Sequence, residues 1–284
     1  MPDPSGDPAA GDPPDPVAVA RFVAARSRVL GAVADACAHS GRDPAGVTLV
    51  AVSKTVDAGR LRAAVAAGLT TLGENRVQEA DAKVAAVPGV SWHLVGPLQA
   101  NKARRAVAIF DVIESVDSLA LAARLDRLAG ELRPGRPLPV LLQVNVDADP
   151  AKAGFEPDGL AAVLPALVVL PNLELRGLMT VGRVVVTAEE ARSTFRALRA
   201  LAERLGAAPH EAAHGAADKT ASPRGLGAAL SMGMSADFPV AIEEGATLVR
   251  VGRALFGDRP PVRASDTPRL PGRLARPVPT PRRA

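Results

Sequence analysis

Five of the 34 basic side chains in this chain are lysines, at Lys54, Lys83, Lys102, Lys152 and Lys219; the others are arginines. In so arginine-biased a sequence, a lysine marks a place where arginine cannot substitute. An ammonium can lose a proton, attack an aldehyde and form an imine, whereas a guanidinium cannot. Lys54 is placed for that chemistry, because it ends the apolar run LVAVS. Its stem would be packed and its amine partly desolvated, which lowers a lysine pKa and provides neutral amine. Position alone fits a strand-end lysine pointing into water equally well. Lys83 falls in a helical stretch whose pattern puts it in solvent. Lys152 could touch the same region as Lys54 or simply be solvated.

The elements that must carry Lys54 are regular. An amphipathic helix is expected from about Val17 to Ala38, ending near Ser40-Gly41. Eight strand-like runs follow, alternating with Ala/Leu/Arg-rich helical stretches. The runs are Thr48–Ser53, Thr70–Gly73, Ser91–Val95, Val112–Ser115, Val140–Val146, Leu173–Met179, Ala229–Met232 and Thr247–Val251. Those at 49–52 and 140–142 are continuously apolar, as parallel strands covered on both faces are. Eight such units over residues 17–257 give an α/β fold, a single (β/α)8 TIM-type barrel with an extra N-terminal helix. In such a barrel, functional residues sit where each strand meets its βα-loop. Those positions here are Lys54, Glu74-Asn75, Gly96, Ser115, Asn145, Met179-Thr180, Ser231–Ser235 and Arg250–Gly252.

A phosphate-bearing carbonyl cofactor would also need a cradle of backbone N–H groups. Barrels commonly build one from the loops after strands seven and eight. Those loops read SMGMS (231–235) and RVGRALFG (250–257). Gly233 and Gly252 allow the backbone to approach a phosphate, and the second opens a short helix whose N-terminus attracts anions. A glycine in a turn is usually only a turn; two of them at the two expected loops say more.

Composition limits the alternatives. Hydrophobic residues make up 48% of the 284 and aromatics 2%, so a large core must be built from Ala, Val and Leu. The lone cysteine, Cys37, can form no internal disulfide, and no Cys/His cluster has metal-ligand spacing. No apolar stretch approaches the length of a membrane span. Residues 1–16 carry four Asp where an export signal would place cations, so a cytoplasmic protein is expected. Residues 258–284 carry seven Arg and two Asp. Both Pro-rich ends lack apolar periodicity and are read as disordered tails. The basic tail has no interleaved aromatics for stacking, which disfavours nucleic acid as a partner.

The motifs AVSKT (51–55), LGEN (72–75), WHLVGPLQANK (92–102), QVNV (143–146), LRGLM (175–179), SMGMS (231–235) and VRVGRALFG (249–257) resemble, in order, those of the pyridoxal phosphate homeostasis protein family, which is related to the N-terminal barrel of alanine racemase. The resemblance covers roughly residues 20–257. It implies pyridoxal 5′-phosphate held as a Schiff base, the internal aldimine, on Lys54. It also implies Asn75 near the ring, and Ser231, Gly233, Ser235, Gly252 and Arg253 around the phosphate. Arg250 would face the pyridine nitrogen. Arginine has donors only and stays charged, so that nitrogen would remain unprotonated and the ring a weak electron sink. The chain departs from the family pattern at Arg76, where tyrosine is common, and at Arg253, where a hydroxyl residue is.

The resemblance implies a monomeric cofactor carrier that buffers or delivers the cofactor, with cofactor-requiring apo-enzymes as its partners and no robust turnover. The alternative is an amino-acid racemase-like enzyme. A racemase of that kind needs a tyrosine as second base, and the sequence contains none; nor does a C-terminal β-domain follow residue 257. His93, between Trp92 and Leu94, reads as structural. A third reading, an aldolase-type lysine in a sugar-phosphate barrel, fits less well because Lys54 follows the first strand.

Overall fold

The computed structural model describes residues 13–207 and 225–257. Its first element is helix α1 (Pro16–Ser40), one turn's fraction longer at each end than the sequence pattern suggests. Asp15 caps it by accepting the N–H groups of Val17 and Ala18, and Gly41 stops it in a left-handed conformation (φ 66°).

Eight strands then alternate with helices. In chain order they are β1 (Thr48–Val52), α2 (Ala58–Ala66), β2 (Thr71–Glu74), α3 (Val77–Val84), β3 (Ser91–Leu94), α4 (Ala103–Ile109), β4 (Val112–Val116) and α5 (Leu119–Leu132). They continue with β5 (Leu138–Gln143), α6 (Pro157–Leu167), β6 (Leu173–Met179), α7 (Arg192–Arg204), β7 (Ala229–Met234), α8 (Phe238–Glu243), β8 (Leu248–Val251) and α9 (Arg253–Phe256). Every neighbouring pair is parallel, and β8 pairs with β1, which closes the barrel. All eight expected strands are present, and because they are parallel, their C-terminal ends open on one face.

Where strand ends differ from the expected ones, they do so by one to three residues, most at β5 and β7. Strand β5 ends at Gln143 rather than running to Val146. Asn145 turns its side chain into the following loop, donating from Nδ2 to the Asp149 carbonyl (2.8 Å) and accepting from the Asp149 N–H (3.1 Å), which takes the backbone out of the ladder. Strand β7 runs on to Met234, with its register against β8 shifting between Ser231 and Met234. Of the expected tails, residues 13–16 are described, and Asp15 and Pro16 begin helix α1; residues 1–12 and 258–284 lie outside the described residues, as do residues 208–224.

The core is aliphatic, as the composition requires: Phe110 and Phe195 are its largest fully buried side chains, set among leucines, valines and alanines. Helix α1 lies across α2, α8 and α9, outside the ring, and buries Phe22, Ala25, Val29 and Val33. It thereby braces the β8–β1 side of the barrel, where the first and last functional loops meet.

Candidate functional site

Lys54 lies two residues past the end of β1, in the loop at the barrel mouth, and is half-buried. The chain on either side of it is tied to a single buried cluster. Lys83 Nζ donates to the Ser53 carbonyl (2.9 Å), to Glu74 Oε1 (2.7 Å) and to Glu79 Oε1 (2.7 Å). Ser53 Oγ donates to the same Glu74 oxygen (2.7 Å), while Glu79 accepts the backbone N–H of Thr55. Thr55 has φ 67°, a left-handed conformation uncommon for a β-branched residue. The cluster therefore fixes the backbone just before and just after Lys54. Glu74 Oε1 takes both donors and Oε2 has no hydrogen-bond partner among the described residues. Burial pushes the Glu74 carboxyl above its ordinary range, against the opposing pull of Lys83 and Ser53.

Lys83 was expected in solvent, and the structure corrects this. It is buried and holds three partners. Helical periodicity alone marks residue 83 as a polar position on α3, but β2 brings Glu74 beneath that position, and a buried carboxylate requires a cation.

A second polar cluster fills the barrel interior. His93 on β3 meets Glu114 Oε1 through Nδ1 (2.6 Å), and Ser231 Oγ on β7 donates to Glu114 Oε2 (2.6 Å). Arg250 on β8 donates from Nη1 to Ser231 Oγ (2.6 Å) and from Nη2 to the Thr180 carbonyl (2.7 Å). All four side chains are buried. Burial alone would push the Glu114 carboxyl up, but His93, Arg250 and Ser231 hold it below the usual carboxylate value. Burial likewise lowers the Arg250 pKa, opposed by Glu114 and Asp237; a guanidinium remains charged regardless. The structure thus gives His93 a partner inside the barrel. Glu114 was not singled out from the sequence, although it carried a signal: a carboxylate within VIESV, a run whose five residues are all buried.

The loops after β7 and β8 adjoin. Gly252 N–H donates to Ser235 Oγ (3.2 Å), and Asp237 holds the β7 turn by accepting the Met234 N–H (2.6 Å). Gly233 has φ 87°, and a Cβ there would lie 2.5 Å from the Cβ of Ala241, so only glycine fits. Ser235, Ala236, Arg253, Ala254 and Gly257 line a shallow cavity of about 370 Å³ on this edge. Ser231 lies deeper than these residues, its hydroxyl committed to Glu114 and Arg250. Asn75 sits half-buried at the end of β2. It packs so tightly on β3's loop that a Cβ at Gly96 would fall 2.3 Å from its carbonyl oxygen. Ser115 donates to the Gly96 carbonyl (2.6 Å) and holds that approach. Arg76 and Arg253 are exposed. Lys152 pairs with Asp149 on its own loop (3.4 Å), and Lys102 is half-buried at the start of α4. Lys219 lies outside the described residues. No group of three or more potential ligands for a metal ion occurs among the described residues, and no described helix is long and apolar enough to cross a membrane.

The arrangement offers an amine at the mouth, a buried fixed cation on the neighbouring strand, and a glycine-bearing double loop on the same rim. Known proteins resemble this chain in both sequence and structure. The family described as "Alanine racemase, N-terminal domain" matches residues 34–260. The pyridoxal phosphate homeostasis protein of Pseudomonas aeruginosa is 42% identical over 238 residues, covering 82% of this chain and 94% of that one. Its namesake in Escherichia coli (strain K12) is 36% identical over 243 residues, covering 82% and 94%. The structure of PipY from Synechococcus elongatus PCC7942, solved with PLP bound, matches with a TM-score of 0.65 at 44% identity, covering 79% of this chain and 100% of that one. Alanine racemase of Clostridium difficile 630, 17% identical with a TM-score of 0.54, shares the fold alone. Because the likeness to PipY and to the two homeostasis proteins runs through nearly the whole barrel, and the alanine racemase model matches the same span, this chain belongs to the pyridoxal phosphate homeostasis protein family, within the alanine racemase N-terminal domain family.

Proposed function

We propose that the chain binds pyridoxal 5′-phosphate covalently through the ε-amine of Lys54 and acts in its homeostasis, buffering and delivering the cofactor without robust turnover of a substrate. The observation that carries this reading is the shared rim. Lys54 opens the loop after β1, the buried Arg250 lies on the adjacent strand β8, and the Gly233/Ser235 and Gly252/Arg253 loops close against each other beside them. The residues fit the group. Gly233, buried against Ala241 with φ 87°, fixes the β7 turn in a conformation only glycine adopts, and that turn brings Ser235 beside the half-buried Gly252 N–H, where a phosphate would find donors. PipY, 44% identical, was solved with PLP bound, and the relatives named above are homeostasis proteins, which supports the same ligand and role here.

When bound, the cofactor supplies an aldehyde that condenses with amines and a ring that accepts electron density. The rest follows from the chain's own side chains. Lys54 would hold the aldehyde carbon, Asn75 would stand beside the ring, and Ser235 with the backbone of Gly233, Gly252 and Arg253 would hold the phosphate. Arg250 offers donors only, so it would keep a facing ring nitrogen unprotonated and curb carbanion chemistry. Ser231 and Glu114 lock the Arg250 guanidinium in place. The 284 residues include no tyrosine to serve as a second base opposite the lysine. The setting we propose is the cytoplasm, with the protein monomeric and passing cofactor to apo-enzymes that require it.

Borohydride reduction followed by peptide mapping tests the assignment. A pyridoxyl adduct is expected on the peptide containing Ser53-Lys54-Thr55, and an adduct confined to Lys102, Lys152 or Lys219 would overturn it. Chiral analysis of alanine, serine and glutamate after long incubation tests the carrier role. Multiple turnovers that vanish in Lys54→Ala would replace it with an enzyme.

A further inference from the structure

Beside the cavity at Ser235 lies a second one of about 380 Å³, framed by α1, the start of α2 and α9. Four arginines line it: Arg21 and Arg28 from α1, Arg60 from α2 and Arg253 from α9. Arg21 and Arg28 are seven residues apart, two turns along one face of the helix, on the stripe that also carries Ala18, Phe22 and Ala25 into the cavity wall. Among the described residues, no Asp or Glu lines the cavity and none of the four arginines forms an ion pair. Elsewhere on this surface the pattern is different: Arg104, Arg127, Arg176, Arg196 and Arg204 each face a carboxylate.

One of the four is fixed in place. The Arg60 guanidinium donates from Nη2 to the Phe256 carbonyl (2.9 Å) and stands 6.0 Å from the centre of the Phe22 ring. Phe22 in turn meets Phe256 edge-on, with ring centres 5.6 Å apart. The cavity therefore has a rigid aromatic side and converging planar donors. Guanidinium forks match phosphate oxygens in pairs, and their mutual repulsion is relieved when an anion enters.

We propose that this groove is a second anion site, which takes a small molecule bearing a phosphate or diphosphate group, and that filling it loosens the neighbouring phosphate cup. The coupling runs through residues common to both cavities, because Arg253, Ala254 and Gly257 line each of them. An anion in the groove draws on the Arg253 charge and repels a phosphate in the cup. By linkage, each ligand weakens the other by the same factor. The binding claim stands on the groove alone; the coupling claim rests on the proposed cofactor role and gives a carrier a chemical signal for release.

Inorganic pyrophosphate is the probe. Calorimetric titration of the full chain, at constant ionic strength set with sodium chloride, should show one saturable site in protein whose cofactor has been reduced onto Lys54. Arg21→Ala with Arg28→Ala should weaken that site at least tenfold, and Ser235→Ala should leave it unchanged. Both arginines are exposed, so melting temperature should stay at the wild-type value. Arg21→Lys with Arg28→Lys, which keeps the charge but loses the fork, should fall between. In unreduced protein, pyrophosphate should speed cofactor transfer to an apo-enzyme by about fivefold or more, within the usual range of coupling between sites. The Arg21→Ala, Arg28→Ala protein should lose that acceleration. Absence of saturable binding, or binding indifferent to the arginine pair, overturns the site. Retention on phosphatidic acid vesicles without pyrophosphate binding assigns the groove to a lipid surface and overturns the small-molecule proposal. Binding with an unchanged transfer rate overturns the coupling. Failure of the cofactor reading would show separately, as protein that takes up no pyridoxal phosphate; pyrophosphate binding would then be titrated on the untreated chain, with the same arginine variants deciding it.

Discussion

Replacing Lys83 by methionine removes the cation on which the geometry around Lys54 depends. Methionine keeps the length and apolar stem of the side chain, so the change isolates the ammonium and its three hydrogen bonds, to the Ser53 carbonyl, Glu74 and Glu79. Glu74 is fully buried. Removing one partner of a buried ion pair typically costs about 3–5 kcal/mol, because the other charge is left uncompensated. Here the cost should lie near the lower figure, about 3 kcal/mol, because the carboxyl can take up a proton instead. In a domain of this size that corresponds to a fall of roughly 6–12 °C in melting temperature. The pH dependence follows from the direction of the Glu74 shift. Its folded-state pKa is raised. Such a group contributes stability below the unfolded value of about 4.3 and loses it as pH rises through the folded value. Lys83 opposes the rise, so its loss drives the folded pKa higher still. The deficit of Lys83→Met relative to wild type should therefore be small near pH 4 and widen toward neutrality. Adding Glu74→Gln removes the charge that lacks a partner, so the double variant should be more stable at pH 7 than Lys83→Met alone. Melting curves of the three proteins from pH 4 to 8 decide the matter. A deficit that does not change with pH, or a double variant less stable than the single, would refute the role given to this cation.

Glu79→Ala frees the Thr55 N–H and should weaken cofactor binding about tenfold, the size of one charge-assisted hydrogen bond. Glu79→Gln, which still offers an acceptor, should keep most of the affinity; spectroscopic titration with pyridoxal phosphate compares them, and equal losses would separate the clamp from Lys54. Gly233→Ala combines a left-handed backbone with a 2.5 Å approach to Ala241, and should destabilise by about 2–4 kcal/mol in urea unfolding. Glu114→Gln removes the stronger of the two carboxylate influences on the buried Arg250, leaving Asp237, and should cost about 3 kcal/mol at neutral pH. Because the Glu114 pKa is depressed in the folded state, its contribution is present above about pH 4.3 and fades as the pH falls toward the folded value; the gap between variant and wild type in urea midpoint should narrow in the same window. Lys54→Arg should keep the fold and abolish the visible absorption of the bound cofactor, since charge survives but imine chemistry does not.

The sequence by itself determined the number, order and type of the strands. Continuous apolar runs such as LVAV and VLL mark strands buried on both faces, and eight strand-like runs separated by helical stretches leave few closures other than a barrel. It also placed Lys54, Asn75, Gly233 and Gly252 on one rim, because a parallel barrel gathers all its strand ends on a single face. Which polar side chains meet was decided only by the tertiary structure. His93, Glu114, Ser231 and Arg250 come from four different strands, and nothing in their spacing sets the strand tilt and register that bring their atoms within bonding distance. For Lys83 the local pattern pointed the wrong way. Periodicity reports the face of a helix, and only packing reveals that this face lies over the buried carboxylate of another element.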